Sequence, residues 1–184
     1  EELPYFFYDL NGKIILKPSA NDRIELSHYS GQDLLDLFRD RNNDGDGFLT
    51  SYSSGNSTQS LGWSRNLNQN WFSTVSLLRT KYFYNIRNAF EENELVASSD
   101  IEDYGTRILI QKDSLFGSGT FKTGIDWTRH QVSPNIINTA GTITEILESS
   151  STSGKVANEL AVHLQYEWSP LEKWRVAIGM RGSM

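Results

Sequence analysis

Cysteine is absent from these 184 residues and proline occurs only four times. The first absence excludes a disulfide framework and thiolate metal centres. Scarce proline beside abundant serine, threonine, asparagine and aromatics favours strands and polar loops over helices. No run of eighteen apolar residues occurs, so no helix is expected to cross a membrane. A spanning β-strand is not excluded, because its signal is only alternating hydrophobicity over about 9 to 11 residues. Basic residues are few: 17 Lys and Arg stand against 23 Asp and Glu, for a formal charge of -6. They do not cluster, and no nucleic-acid partner is expected. Motifs of the HExxH, GxSxG and phosphate-loop kind are missing, and His28, His130 and His163 lie at no metal-binding spacing. Enzyme activity is therefore not expected.

What the chain does have is a period of two. Phe6, Tyr8, Leu10, Ile14 and Leu16 alternate with Asp9, Asn11, Lys13 and Lys17, and Ile24, Leu26 and His28 with Arg23, Glu25 and Ser27. Leu61 and Trp63 oppose Thr58, Ser60 and Ser64. Residues 72 to 84 place Phe72, Leu78, Tyr82 and Tyr84 opposite Arg79 and Lys81, although Val75 and Leu77 then join the charged side. Tyr104, Ile108 and Ile110 oppose Asp103, Arg107 and Gln111, and Phe121, Ile125 and Trp127 oppose Lys122, Asp126 and His130. The clearest runs are Leu160, Val162, Leu164, Tyr166 and Trp168, and then Trp174, Val176, Ile178 and Met180. Strands have this periodicity. A soluble sandwich would alternate too, but here Phe6, Tyr8, Tyr82, Tyr84, Trp127, Tyr166, Trp168 and Trp174 gather near strand ends. Interfacial aromatic girdles have that distribution.

Short polar turns at 18–22, 66–70, 114–119 and 169–173 alternate with longer connections at about 31–55, 85–100 and 131–156. The expected fold is all-β: an antiparallel up-and-down transmembrane β-barrel segment of about eight strands, short turns on one side and long loops on the other. That order puts both chain ends on the long-loop side, so further strands are expected on both flanks. Within the first long connection, Leu34, Leu35, Leu37 and Phe38 have helical spacing behind a capping box of Ser30 and Asp33, and a short helix is expected at 30–41. Asp9, Asp103, Asp126, Glu159 and Glu167 should share a polar face with Lys13, Lys81, Lys122, Arg107, Arg175 and Arg181, as wall charges paired across strands.

The stretch "SSDIEDYGTRILIQKDSLFGSGTFKTGIDWTRHQVSPN" (98–135) resembles the mid-barrel hairpin of TonB-dependent receptors from Bacteroidota. "ANELAVHLQYEWSPLEKWRVAIGMRGS" (157–183) is similar to the next hairpin, with Gly-Met-Arg where that family usually has Gly-Leu-Arg. The resemblance implies that residues 1–184 are part of a 22-stranded, plug-filled outer membrane barrel that imports a scarce ligand. The cargo would be a siderophore, glycan or peptide. Implied partners are outer membrane lipid, TonB acting through a plug segment outside these residues, and a surface lipoprotein lid. A self-standing extracellular β-sheet protein that binds ligands without transport is the alternative.

One run suggests a cation. In "RDRNNDGDGFL" (39–49), Asp40, Asn42, Asp44 and Asp46 fall at positions 1, 3, 5 and 7 of an EF-hand-like loop with Gly45 at position 6. Position 8 is Gly47 and position 12 is Ser51, so the closing carboxylate is missing. Calcium is the candidate cofactor, with a solvated Asn/Asp/Gly turn as the reading the sequence favours.

Overall fold

The computed structural model describes residues 4–40, 47–150, 153–171 and 173–184. Eight strands follow one another: β1 (Tyr5–Leu16), β2 (Asp22–Asp40), β3 (Gly47–Asn68), β4 (Trp71–Phe90), β5 (Asn93–Leu115), β6 (Gly119–Ala140), β7 (Lys155–Leu171) and β8 (Trp174–Ser183). They pair in sequence order, all antiparallel, in one open sheet. This is the expected all-β up-and-down meander, and the four short turns lie where the polar runs place them.

The register inclines the strands. Leu16 ends β1 at the turn side and shares a row with Ile24, Trp63, Val75, Ile108, Ile125 and Val162. Val162 stands nine residues above Leu171, the turn-side end of β7. A second row runs from Asp22, which opens β2, to Met180, six residues above Trp174, which opens β8. Six to nine residues of about 3.3 Å over six spacings of about 4.8 Å incline the strands by roughly 35–45° from the perpendicular to the line of turns. Barrel strands have that inclination to the barrel axis.

The sheet is a single layer with no core of its own. Among the described residues Ala161, 1% exposed, is the one buried apolar side chain. The accessible area is 13228 Å², against about 9,000 Å² for a compact folded chain of the same mass.

Three expectations need correction. Residues 30–40 continue β2 instead of forming a helix: they pair residue by residue with β3, and Leu34 points to one face while Leu35 and Leu37 point to the other. The neighbouring strand's free backbone groups decide this, since an unpaired edge costs more than weak helical spacing returns. The long connections also prove to be mainly strand. Around 85–100 only Glu91 and Glu92 separate β4 from β5, and between β6 and β7 the described residues from Gly141 to Ser150 lie outside the strands and include a short 3-10 turn (Thr142–Glu145). Finally, β4 is inverted relative to its predicted facing. Leu77 pairs with Leu61 and Val75 with Ile108, so both join the apolar side, while Phe72, Leu78, Tyr82 and Tyr84 lie on the polar side and Lys81 does not.

Candidate functional site

The register sorts every strand onto two faces. The apolar face has three levels. Next to the turns stand Trp71, Phe121, Tyr166, Trp168 and Trp174, with Tyr166 and Trp168 stacked at 5.4 Å and the Lys112 ammonium 5.4 Å from the Trp71 ring centroid. Aliphatic residues fill the middle: Ile24, Val75, Ile108, Ile125, Val162 and Met180. Above them comes Trp127, and then a mainly polar row in which Tyr104 stands with Gln59, Arg79 and Arg129. All five tryptophans of the chain stand on this face. Ile178 and Met180 are 63% and 69% exposed, so no layer of the described residues covers the band.

The opposite face is polar and carries a continuous charge network over β5 to β8. Asp126 is its hub. Its carboxylate accepts from Arg107 Nε and from Arg181 Nη1 at 3.1 Å, and His163 Nδ1 lies 3.7 Å away. Arg181 reaches Glu159 at 3.8 Å, Glu159 lies 4.0 Å from His130 Nε2, and His130 Nδ1 is 2.8 Å from Asp103. A second cluster joins Lys122 and Arg175 through Glu167, at 3.0 and 2.9 Å. A third joins Lys13 and Arg23 through Glu25. These carboxylates sit where the sequence placed them, and cation neighbours hold them as structural ion pairs. His163 packs over the bare backbone of Gly124, where a Cβ would stand 2.5 Å from its ring. His163 Nδ1 is buried and has no hydrogen-bond partner among the described residues.

Toward the far ends of β1 to β4, the same face opens into a cleft of about 330 Å³ lined by Phe7, Asp9, Tyr29, Asp33, Asn56 and Tyr82. Tyr29 donates to Asp9 at 2.7 Å and Tyr5 donates to Asp33. The bond to Asp33 raises the Tyr5 phenol above its ordinary pKa. Gly31 leaves the space: a Cβ there would lie 2.4 Å from the Asp9 carboxylate and 2.9 Å from the Tyr29 hydroxyl. This site was missed in the sequence. Its tyrosines and acids come from different strands, and only the register brings them together. Phenol, carboxylate and amide groups around a small cleft suit hydrogen bonding to a polar solute.

At the turn side, Asp22 accepts from the Ser19 hydroxyl at 2.6 Å and from the Trp63 indole N–H at 3.0 Å. The Ser19 bond first, and then the Trp63 bond, hold its carboxyl below the ordinary range; burial opposes them, and Arg65 at 3.7 Å adds to the lowering. The calcium candidates Asn42, Asp44 and Asp46, and the side chain of Asp40, lie outside the described residues. Among the described residues, no group of three or more His, Asp or Glu side chains is arranged for a metal ion. No family model, curated protein or solved structure matches the chain.

Proposed function

We propose that this chain is a barrel-wall and extracellular-arm segment of an outer membrane TonB-dependent receptor that imports a scarce ligand, a siderophore, glycan or peptide. The observation that supports it most directly is the uncovered apolar band, with aromatics at both borders, on a sheet whose other face is charged. A bilayer satisfies such a band where water does not, and inclined, fully paired strands keep backbone polar groups out of hydrocarbon. The nine residues Leu160–Trp168, inclined as above, give a height of about 23 Å, close to the apolar band of about 25 Å in outer membrane barrels. The narrower family assignment rests on the likeness of the hairpins at 98–135 and 157–183. On this reading the charged face lines the lumen, the extended arms of β2 to β6 stand outside the membrane, and cargo meets the tyrosine-acid cleft. TonB acts through a plug beyond these residues, and a surface lipoprotein lid would meet the arms. The wall charges do no catalysis.

The tryptophans provide the test. With all five on the apolar face, the chain folded into phosphatidylcholine vesicles should lose most of its tryptophan emission when brominated lipid is introduced, and little with aqueous iodide. A monodisperse, β-folded chain without detergent, quenched by iodide, would overturn the membrane reading.

A further inference from the structure

The upper border of the apolar face holds a depression of about 590 Å³, floored by Leu61, Leu77, Thr106 and Trp127 and overhung by Arg79 and Arg129. Thr106 is the small residue in a row of large ones, Leu61, Leu77 and Trp127, and so leaves a slot between them. In the next row up, Arg79, Tyr104 and Arg129 are cross-strand neighbours, and Lys81 lies one row above, beside Glu102. Arg79 already has company: Glu102 takes its Nε at 2.6 Å and its guanidinium lies 5.9 Å from the Tyr104 ring centroid. Arg129 is different. Among the described residues no carboxylate lies within ion-pair distance of it, and its neighbour is the Gln131 amide, whose oxygen accepts at 3.2 Å once the amide is turned. Three cations and one carboxylate thus crowd the border of an apolar slot in a chain of net charge -6.

We propose that this slot is a binding site for one phosphate-bearing anionic lipid of the leaflet on the side of the extended arms. Hydrocarbon lies along Leu61, Leu77 and Trp127 over Thr106, and the phosphate is held by Arg129, with the Arg79 guanidinium, already engaged by Glu102 and Gln59, adding positive charge beside it. The inference rests on the membrane reading above, because it needs this face to meet lipid. Charge complementarity selects the occupant. A neutral acyl chain would fill the slot but leave Arg129 at the edge of hydrocarbon without a counter-charge, whereas a lipid phosphate satisfies both parts.

The whole chain is folded into nanodiscs of phosphatidylcholine with 20 mol% phosphatidylglycerol, extracted in mild detergent, and weighed by native mass spectrometry. One retained phosphatidylglycerol is expected in excess over phosphatidylcholine, and millimolar inorganic phosphate should not displace it. Arg129→Gln should lower that retention about fivefold. Thr106→Trp, which fills the slot and leaves both arginines, should abolish it. Equal retention of the two lipids, unchanged retention in both variants, or displacement by phosphate alone would overturn the lipid site. In each of these cases normal brominated-lipid quenching leaves the membrane reading standing; absent quenching overturns both.

Discussion

The turn-side and far halves of the same strands differ more than any two strands do. Along one face of β4 the chain reads Trp71, Ser73, Val75 and Leu77 near the turn, and then Arg79, Lys81, Phe83, Asn85 and Arg87 farther out, where a single aromatic interrupts the polar run. The same face of β6 reads Phe121, Ile125 and Trp127, and then Arg129, Gln131 and Ser133. Backbone pairing is continuous through both halves, so strand formation does not explain the change. Neither half is covered by another layer of the described protein. What changes is the medium each half suits, hydrocarbon for one and water for the other, on the reading proposed above. Only the turn-side half has to be apolar on one face.

The strongest way to break this comparison is a charge placed in the band. Leu164 sits in the same row as Thr123 and Met180, midway between the borders, while its neighbour Gln165 faces the charged side. Leu164→Arg should cost about 2–4 kcal/mol. Gln165→Arg, and Ser57→Arg on the apolar face but in the far half, should each cost less than about 0.5 kcal/mol. Denaturant unfolding of the chain in bilayer vesicles measures all three, and equal losses at Leu164 and Gln165 would remove the facing assigned to β7.

A smaller effect sharpens the contrast from the polar side. The Asp126 side chain is only 12% exposed, whereas its partners Arg107 and Arg181 are 63% and 53% exposed. Asp126→Ala should therefore cost about 1–2 kcal/mol, less than the 3–5 kcal/mol of a fully buried pair, because both arginines can turn toward water. The double variant Asp126→Ala/Arg107→Ala should regain part of that loss, since one unpaired cation is then gone. Strict additivity in the same unfolding assay would mean that the hub contributes no coupling.

How far the sequence could be read follows the same division. In the turn-side halves one face is apolar, so alternation reveals strand and facing together, as in Leu160 to Trp168 and Trp174 to Met180. It misleads in β4. Leu77 and Leu78 are adjacent, Tyr82 and Tyr84 add apolar weight to the wrong parity, and only the pairing of Leu77 with Leu61 resolves the tie. In the far halves apolar residues fall on both faces, Leu34 and Phe83 on one and Leu35, Tyr52 and Ile86 on the other, and the alternation vanishes, so paired strands read as loops, and Leu34, Leu35 and Leu37 read as a helix. Their order comes from backbone ladders to β3, which side-chain pattern does not encode. The charge network was legible because acids and bases alternate with apolar residues inside the band. The Tyr29–Asp9 and Tyr5–Asp33 pairs were not, because residues distant in sequence meet only through register.

The smallest expected effect lies at the turn-side border, where Asp22 links the first turn to the sheet. Its carboxylate is held by the Ser19 hydroxyl and the Trp63 indole, and its pKa is lowered on folding. A group of this kind stabilises the fold above its unfolded pKa, about 3.9 for aspartate, and the contribution fades as pH falls through the lower folded value. The window is therefore acidic, from about pH 4 downward. Because Asp22 stands where the turn enters β2, at the end of the sheet, the consequence should be local: loosening of the turn between β1 and β2, not unfolding of the sheet. The indole N–H resonance of Trp63 reports it. In the parent chain that resonance should shift, and exchange faster with solvent, as the pH drops below about 4. Asp22→Asn should show the weaker hydrogen bond already at neutral pH and no further acid transition. An indole signal that stays constant down to pH 2 in the parent chain would show that the carboxylate does not hold Trp63 at this border.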